Sequence, residues 1–203
     1  MGNGNKTTST IIMLIVALIV GGGIGYAVGN GNSSHTTTTS YATSQKSSGV
    51  YVGGSLMVDS KNIVQNALNA PNVTTVVQLV KDAGLVNTLE SAGPFTVFAP
   101  NNGAFSKLPS STVKALQQPA NKAELTQILE YHVVSGTYTS AALRVMAEKG
   151  QSLTTLQGSQ LTPVLVNNQL ELKDAKGNDV TIQTPDVISS NGVTFVINSV
   201  LMP

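Results

Sequence analysis

The spacing of apolar residues divides the chain beyond residue 59 into a helical part and a strand-rich part. Between residues 63 and 149, apolar positions recur every three to four residues in short segments that end at Gly or Pro. This period predicts a series of short amphipathic helices. Ile63 to Leu68 form the first apolar face, and Asn72 is placed to cap the helix that follows.

The period changes in the last third of the chain. Leu161–Val166 and Gln169–Lys173 flank the pair Asn167-Asn168, which is typical of a tight hairpin turn. Val180–Gln183 predicts a further strand. Val193–Leu201 is apolar with little alternation, which predicts a central strand covered on both sides. Helices followed by strands, rather than alternating with them, favour an α+β fold.

An uncharged apolar run, Ile11–Val28, precedes these elements, and a stretch rich in Ser, Thr, Gly and Asn separates it from them. At about 1.5 Å per helical residue the run would span about 27 Å, close to the roughly 30 Å hydrocarbon core of a bilayer. We therefore predict a short cytoplasmic N-terminus, a transmembrane anchor, a disordered linker and one globular domain, at residues 1–10, 11–28, 29–58 and 59–203.

The apolar run has two interpretations. Lys6 lies before it and no charged residue follows until Lys46, which favours a cell-membrane anchor with the C-terminal domain outside the cytoplasm. Alternatively, the run is a secretory signal peptide whose cleavage releases the domain, although Gly25-Tyr26-Ala27-Val28-Gly29 lacks the usual cleavage pattern. Both interpretations place the domain outside the cytoplasm.

Two short patterns suggest further features. Small residues at every fourth position would line one face of the apolar helix and allow association with a second copy, although Gly is simply common in membrane spans: Ala17, Gly21, Gly25 and Gly29. Asn32-Ser33-Ser34 and Asn72-Val73-Thr74 fit the N-glycosylation pattern. Asn72 suits a helix cap equally well.

Composition excludes several function classes. Charged residues make up 10% of the chain, the formal net charge is +1 and the basic residues are scattered, so the clustered cations of nucleic-acid binding are missing. Cysteine is absent, which excludes thiolate nucleophiles and Cys-ligated metals. His35 and His132 have no Gly-x-Ser-x-Gly elbow beside them, and Asp174, Asp179 and Asp186 lack metal-ligand spacing. We expect no enzyme activity, catalytic residue, metal site or cofactor.

Three segments carry most of the distinctive residues of the domain. The first is Gly-Pro-Phe-Thr-Val-Phe-Ala-Pro-Asn-Asn-Gly-Ala-Phe (93–105), the second Tyr-His-Val-Val (131–134), and the third runs from Asn191 to Pro203. All four phenylalanines fall in the first and third, and we expect them in the core. The predicted structural framework consists of Phe95, Phe98, Pro100, Asn102, Phe105, Tyr131, His132, Gly192, Phe195 and Asn198.

In this order and spacing the three segments resemble the fasciclin domain, over residues 59–203. The resemblance implies an α+β wedge in which helices pack on a small, mostly antiparallel sheet. It also implies a non-enzymatic, extracellular adhesion or protein-interaction module, whose partner is a cell-surface or matrix protein or a polysaccharide. The alternative is a surface module for a small hydrophobic ligand or a glycan, which an apolar pocket of a few hundred Å³ would distinguish.

The chain departs from the common family pattern in its third segment, where Phe195 and Asn198 stand in place of the usual His and Asp. Phe195 suggests more apolar packing there. Upstream, Pro185-Asp186-Val187-Ile188 resembles the Asp-Ile-type element linked in animal members to integrin binding. Asp186, Val187 and Ile188 are therefore candidate partner contacts, and a structural turn with an exposed Asp is the alternative.

Overall fold

A computed structural model describes residues 49–203. In this part of the chain the α-helices are α1 (Ile63–Leu68), α2 (Thr74–Ala83), α3 (Val86–Glu90), α4 (Asn102–Ser106), α5 (Ser110–Leu116), α6 (Lys122–Tyr131) and α7 (Ser140–Glu148). The strands are β1 (Gly49–Val52), β2 (Ser55–Val58), β3 (Phe95–Pro100), β4 (Val133–Ser135), β5 (Leu153–Thr154), β6 (Gln160–Val166), β7 (Gln169–Lys173), β8 (Asp179–Ser189) and β9 (Gly192–Ile197). A 3-10 turn at Pro119–Asn121 precedes α6.

The strands form a two-stranded sheet, β1–β2, and a seven-stranded sheet in the order β4-β3-β9-β8-β7-β6-β5. Strands β3 and β9 run parallel, and the other neighbours run antiparallel. The two outer strands of the larger sheet meet, because Val134 and Thr155 form an antiparallel bridge and the Leu156 N–H donates to the Val133 carbonyl at 2.7 Å. The sheet therefore curls back on itself.

Both faces of this sheet are buried. On β9, Val193, Phe195 and Ile197 belong to a core that the strands share with α7, whereas Val196 belongs to a second core beneath the other helices. Successive side chains of a strand point to opposite faces, so an apolar run without alternation is what this position requires. The prediction of a central strand covered on both sides is confirmed, although the strand ends at Ile197 rather than at Leu201.

The α+β class and the mostly antiparallel sheet are also confirmed. The predicted hairpin of β6 and β7 turns at Asn167 and Asn168, whose φ angles are 50° and 64°. Two consecutive residues with positive φ match the twist of the flanking strands, and Asn tolerates that conformation better than most residues.

The N-terminal hairpin was not predicted. Residues 49–58, assigned to the linker, form β1 and β2, so the described fold includes residues that precede Asp59. Gly53 and Gly54 make the turn with φ of 58° and 90°, a conformation that glycine adopts without steric cost. Val52 and Met57 are buried and attach the hairpin to the domain.

The cap of α2 differs from the prediction. Asn72 does not cap this helix, which begins at Thr74 without a side-chain cap from its own N-cap residue; the buried Asn72 Oδ1 has no hydrogen bond. Instead, Asn102 of α4 accepts the Thr75 N–H at 3.0 Å and donates to the Pro71 carbonyl at 3.1 Å. A residue of the first distinctive segment thus caps α2 from another helix.

The predictions for the N-terminal part fall outside the described residues. They are the cytoplasmic segment 1–10, the anchor 11–28, the linker up to residue 48, the small-residue face Ala17, Gly21, Gly25 and Gly29, and the glycosylation motif at Asn32. Within residues 49–203, no helix is both long and apolar enough to cross a bilayer.

Candidate partner-binding surface

His132 is held by backbone on both sides of its ring. Its Nδ1 lies 2.8 Å from the Ile128 carbonyl and its Nε2 lies 3.0 Å from the Leu201 amide nitrogen. Because the Leu201 N–H can only donate, Nε2 is the acceptor and Nδ1 carries the proton. Burial lowers the pKa of His132 to about 4. A 3% exposed imidazole with both nitrogens engaged is a structural group, and it has no free position from which to act on a substrate.

Tyr131 has an equally structural environment. Its hydroxyl donates to the Gln160 carbonyl and accepts the Ala175 N–H, both at 2.8 Å. Burial raises the pKa of this phenol. The second distinctive segment therefore links the end of α6 to β6 and to the turn after β7.

The first and third segments meet as the parallel pair β3–β9, where Phe95 lies opposite Gly192 and Phe98 opposite Phe195. The rings of Phe98 and Phe195 stack with centroids 5.4 Å apart, so Phe195 does contribute apolar packing. A Cβ at Gly192 would lie 2.0 Å from the Phe95 carbonyl oxygen, which leaves room only for glycine.

The remaining framework residues have comparable roles. The Asn198 side chain accepts the Thr181 N–H at 3.1 Å, so this position keeps a polar contact with β8. Phe105 is buried and Phe95 is half-buried. Pro100 ends β3 opposite Ile197. These side chains position the sheet and helices and are not gathered around a common opening.

The three candidate contact residues differ in accessibility. Asp186 lies at a bulge of β8 with φ 54°, and its carboxylate accepts hydrogen bonds from the Ser140 N–H at 2.7 Å and from the Ser140 hydroxyl. Asp186 thus holds the first turn of α7. Val187 is buried, and Ile188 is 43% exposed. Of the three, Ile188 is the side chain that can bury substantial apolar area against a partner.

A groove of about 220 Å³ lies beside the contact between the β1–β2 hairpin and β8, and Ile188 is one of the residues that line it. Val50, Met57, Asp59 and Asp186 also line it. On the hairpin, Tyr51 pairs directly with Leu56 across the strands. These two side chains are 68% and 40% exposed. Because successive side chains of a strand point to opposite faces, this pair lies on the hairpin face opposite Val50 and Met57. We call Tyr51 and Leu56, together with the exposed Ile188 of β8, the hairpin surface.

Tyr51 and Leu56 were missed because sequence reasoning placed them in the linker. The signal available was brief: Val50 and Val52 alternate with Tyr51, and Gly53-Gly54 follows. Alternation before a glycine pair is typical of a hairpin. Four residues surrounded by polar sequence are too few to make that pattern clear.

Two other kinds of site, a metal site and a glycosylation site, concern residues 49–203. No group of three His, Cys, Asp or Glu side chains that could hold a metal ion occurs in these residues. Asn72 of the second glycosylation motif is half-buried, and its amide lies close to Gly53, where a Cβ would come within 2.8 Å of Asn72 Oδ1.

Comparison with known proteins gives consistent results. The sequence model of the Fasciclin domain matches residues 71–203. Protein sll1483 of Synechocystis is 42% identical over 70% of this chain and 73% of its own length. Immunogenic protein MPB70 of Mycobacterium bovis is 41% identical over 68% of this chain and 66% of its own length. The solved FAS1 domain pair of the insect cell adhesion molecule fasciclin I superposes with a TM-score of 0.65 at 21% identity, over 72% of this chain and 52% of that one.

Proposed function

Because this chain belongs to the fasciclin domain family, we propose that residues 49–203 form a non-enzymatic adhesion or protein-interaction module presented outside the cytoplasm. Family membership supports the class of function. The structural neighbour is itself a domain pair from a cell adhesion molecule, and its 21% identity supports the fold. In the described residues, the one histidine of the domain has both ring nitrogens occupied by backbone partners.

The observation that carries the proposal is the hairpin surface. Tyr51 is the most exposed of the large hydrophobic side chains in residues 49–203, and Leu56 faces outward beside it. The hairpin packs against β8, which places Ile188 on the adjoining groove. Tyrosine is one of the side chains that dominate the free energy of protein–protein contacts, and aliphatic side chains around it add buried apolar area when a partner removes them from water.

The chemistry of this surface favours a protein partner over a polysaccharide. Ile188 and Val50 line the groove together with two acidic residues, Asp59 and Asp186. A partner that offers an apolar side chain flanked by a basic one would complement this lining. The Asp186 carboxylate keeps its bonds to Ser140 in this arrangement, so Asp186 shapes the surface while Ile188 makes the contact.

Presentation is the second half of the proposal. Residues 11–28 anchor the chain in the membrane, and residues 29–48 connect that anchor to the hairpin. With this segment as the predicted linker, the domain can present its hairpin surface to another cell or matrix. The alternative is that the chain is cleaved near Val28 and the domain is secreted.

Adhesion by beads coated with the full chain tests the proposal. The double variant Tyr51→Ser/Ile188→Ser should reduce retention on matching cells or matrix by more than tenfold, because several apolar contacts are removed at once. The matched control is Val166→Ser, since Val166 is 39% exposed at the end of β6, outside the groove. Circular dichroism should show all three proteins equally folded. Equal adhesion by the double variant and wild type would contradict the role of this surface.

A further inference from the structure

An apolar cleft of about 50 Å³ lies on the helical side of the seven-stranded sheet, between α1, α2 and α3. Its floor is formed by Val97, Ala99 and Thr194 of β3 and β9. Its walls are aliphatic side chains of the three helices. Four of these are half-buried and open the cleft to the surface: Ala67, Val77, Val80 and Val86.

Two asparagines help the apolar contacts to hold the walls in place, one buried and one that caps a helix. Asn191 accepts the Ile63 N–H at 2.9 Å and donates to the Leu89 carbonyl at 2.8 Å, which ties the start of α1 to α3. Asn102 caps α2 through Thr75. A cleft whose walls are fixed in this way loses little conformational entropy when a ligand enters.

The cleft has the size of an alkyl tail. A cavity needs about 10–15 Å³ to hold one water, so the cleft offers roughly four water-sized positions. That space corresponds to about four to six carbon atoms. A second cavity of about 20 Å³ shares Ile63, Ala67, Ala99 and Thr194 with it and extends the same apolar space beneath α1. These volumes are far below the roughly 300 Å³ or more that encloses a whole drug-sized ligand.

A positive charge at the rim of the cleft indicates what the head group of the ligand should be. Lys81 is the one charged residue among those that line the cleft. In the described part of the chain, no hydrogen bond or ion pair engages its ammonium group, and the neighbouring Asp82 carboxylate accepts from Gln78 at 2.8 Å. A cation at the rim of an apolar cleft complements a ligand with an anionic head and an apolar tail.

We propose that this cleft binds a small anionic amphiphile, with its short alkyl tail between α1, α2 and α3 and its carboxylate beside Lys81. The site lies apart from the hairpin surface and gives the module a second activity, the capture of a short-chain carboxylic acid. It does not depend on the adhesion proposal.

Methyl NMR of the full chain, with labelled valines, tests the site with hexanoate as the probe. Hexanoate should shift the methyl signals of Val77, Val80 and Val86 in a saturable manner and leave Val166 unchanged. Hexylamine carries the same tail with the opposite charge and should bind about fivefold more weakly, the factor expected for one exposed charge pair.

Two kinds of variant test the contacts of the alkyl tail and of the carboxylate separately. Ala67→Phe fills the mouth of the cleft and should abolish the valine shifts with either probe, and Val80→Phe repeats this from α2. Lys81→Met keeps the aliphatic stem and should remove the preference for hexanoate over hexylamine. Lys114→Met, at an exposed position of α5 outside the cleft, makes the same charge change and should retain the preference.

Three results would overturn the proposal. The first is an absence of saturable shifts at the three valines. The second is unchanged binding by both phenylalanine variants. The third is a pair of observations: the wild type does not bind hexanoate, and Ala67→Phe loses cell adhesion. The cleft would then receive a side chain of a protein partner. The Tyr51→Ser/Ile188→Ser protein should bind hexanoate normally, so failure of adhesion and failure of this site are distinguishable.

Discussion

At the scale of single residues, two side chains hold consecutive amides at the C-terminal end of the chain. His132 accepts the Leu201 N–H at 3.0 Å, and Asp174 accepts the Met202 N–H at 3.2 Å. Asp174 is buried and also accepts the N–H groups of Lys176 and Asn178. Neither contact could be predicted from spacing, because both partners lie far away along the chain.

His132 makes stability depend on pH. Its pKa is about 4 in the folded protein and about 6.5 when unfolded, so the unfolded chain binds the proton more readily. The free energy of unfolding should therefore be highest above pH 6.5 and fall by about 3 kcal/mol as the pH is lowered to 4. Urea unfolding of the full chain at pH 7.5 and pH 4 measures this change.

The variant His132→Gln supplies the comparison, because glutamine does not titrate. It should be less stable than wild type at pH 7.5, since the Leu201 and Ile128 groups lose well-placed partners. Its loss of stability between pH 7.5 and pH 4 should be smaller than that of wild type by about 3 kcal/mol. An equal loss in both proteins would assign the acid sensitivity to carboxylates instead.

At the scale of elements, the sequence predicted what depends on local pattern and missed what depends on distant partners. The β6–β7 hairpin was predicted because Asn167-Asn168 separates two apolar strands. The β1–β2 hairpin was missed because its apolar residues are few and are buried against β8 and α1, which no local pattern reveals. Ile188 was among the candidate contact residues named from the sequence, and the exposed Tyr51–Leu56 pair was not.

The contact between α2 and α4 yields a test at the same scale. Asn102→Ala removes the cap on Thr75 and the bond to the Pro71 carbonyl, and should lower the free energy of unfolding by about 1–2 kcal/mol. Asn87→Ala is the matched control, because Asn87 is exposed on α3, and it should change stability by less than about 0.5 kcal/mol. Comparable losses in the two variants would show that the cap contributes little.

At the scale of the whole molecule, we predict that residues 1–48 determine whether the domain is anchored or released. If residues 11–28 are retained as an anchor, mass spectrometry of the mature protein should find the N-terminus before Ile11. Protease treatment of intact cells should then cut between residues 29 and 48 and release a stable fragment that begins near Gly49. A mature N-terminus beyond Val28, with the protein in the medium, would establish the secreted form.

The meeting of β4 with β5 also affects how copies of the domain behave at high local concentration. A strand added from a neighbouring molecule needs an open row of backbone N–H and C=O groups. The outer strands β4 and β5 of the seven-stranded sheet meet through Val134, Thr155 and Leu156, so a neighbour finds no open row of such groups where they join. Crowded copies are therefore hindered from adding a strand at that point, and contact between them there has to be made by side chains.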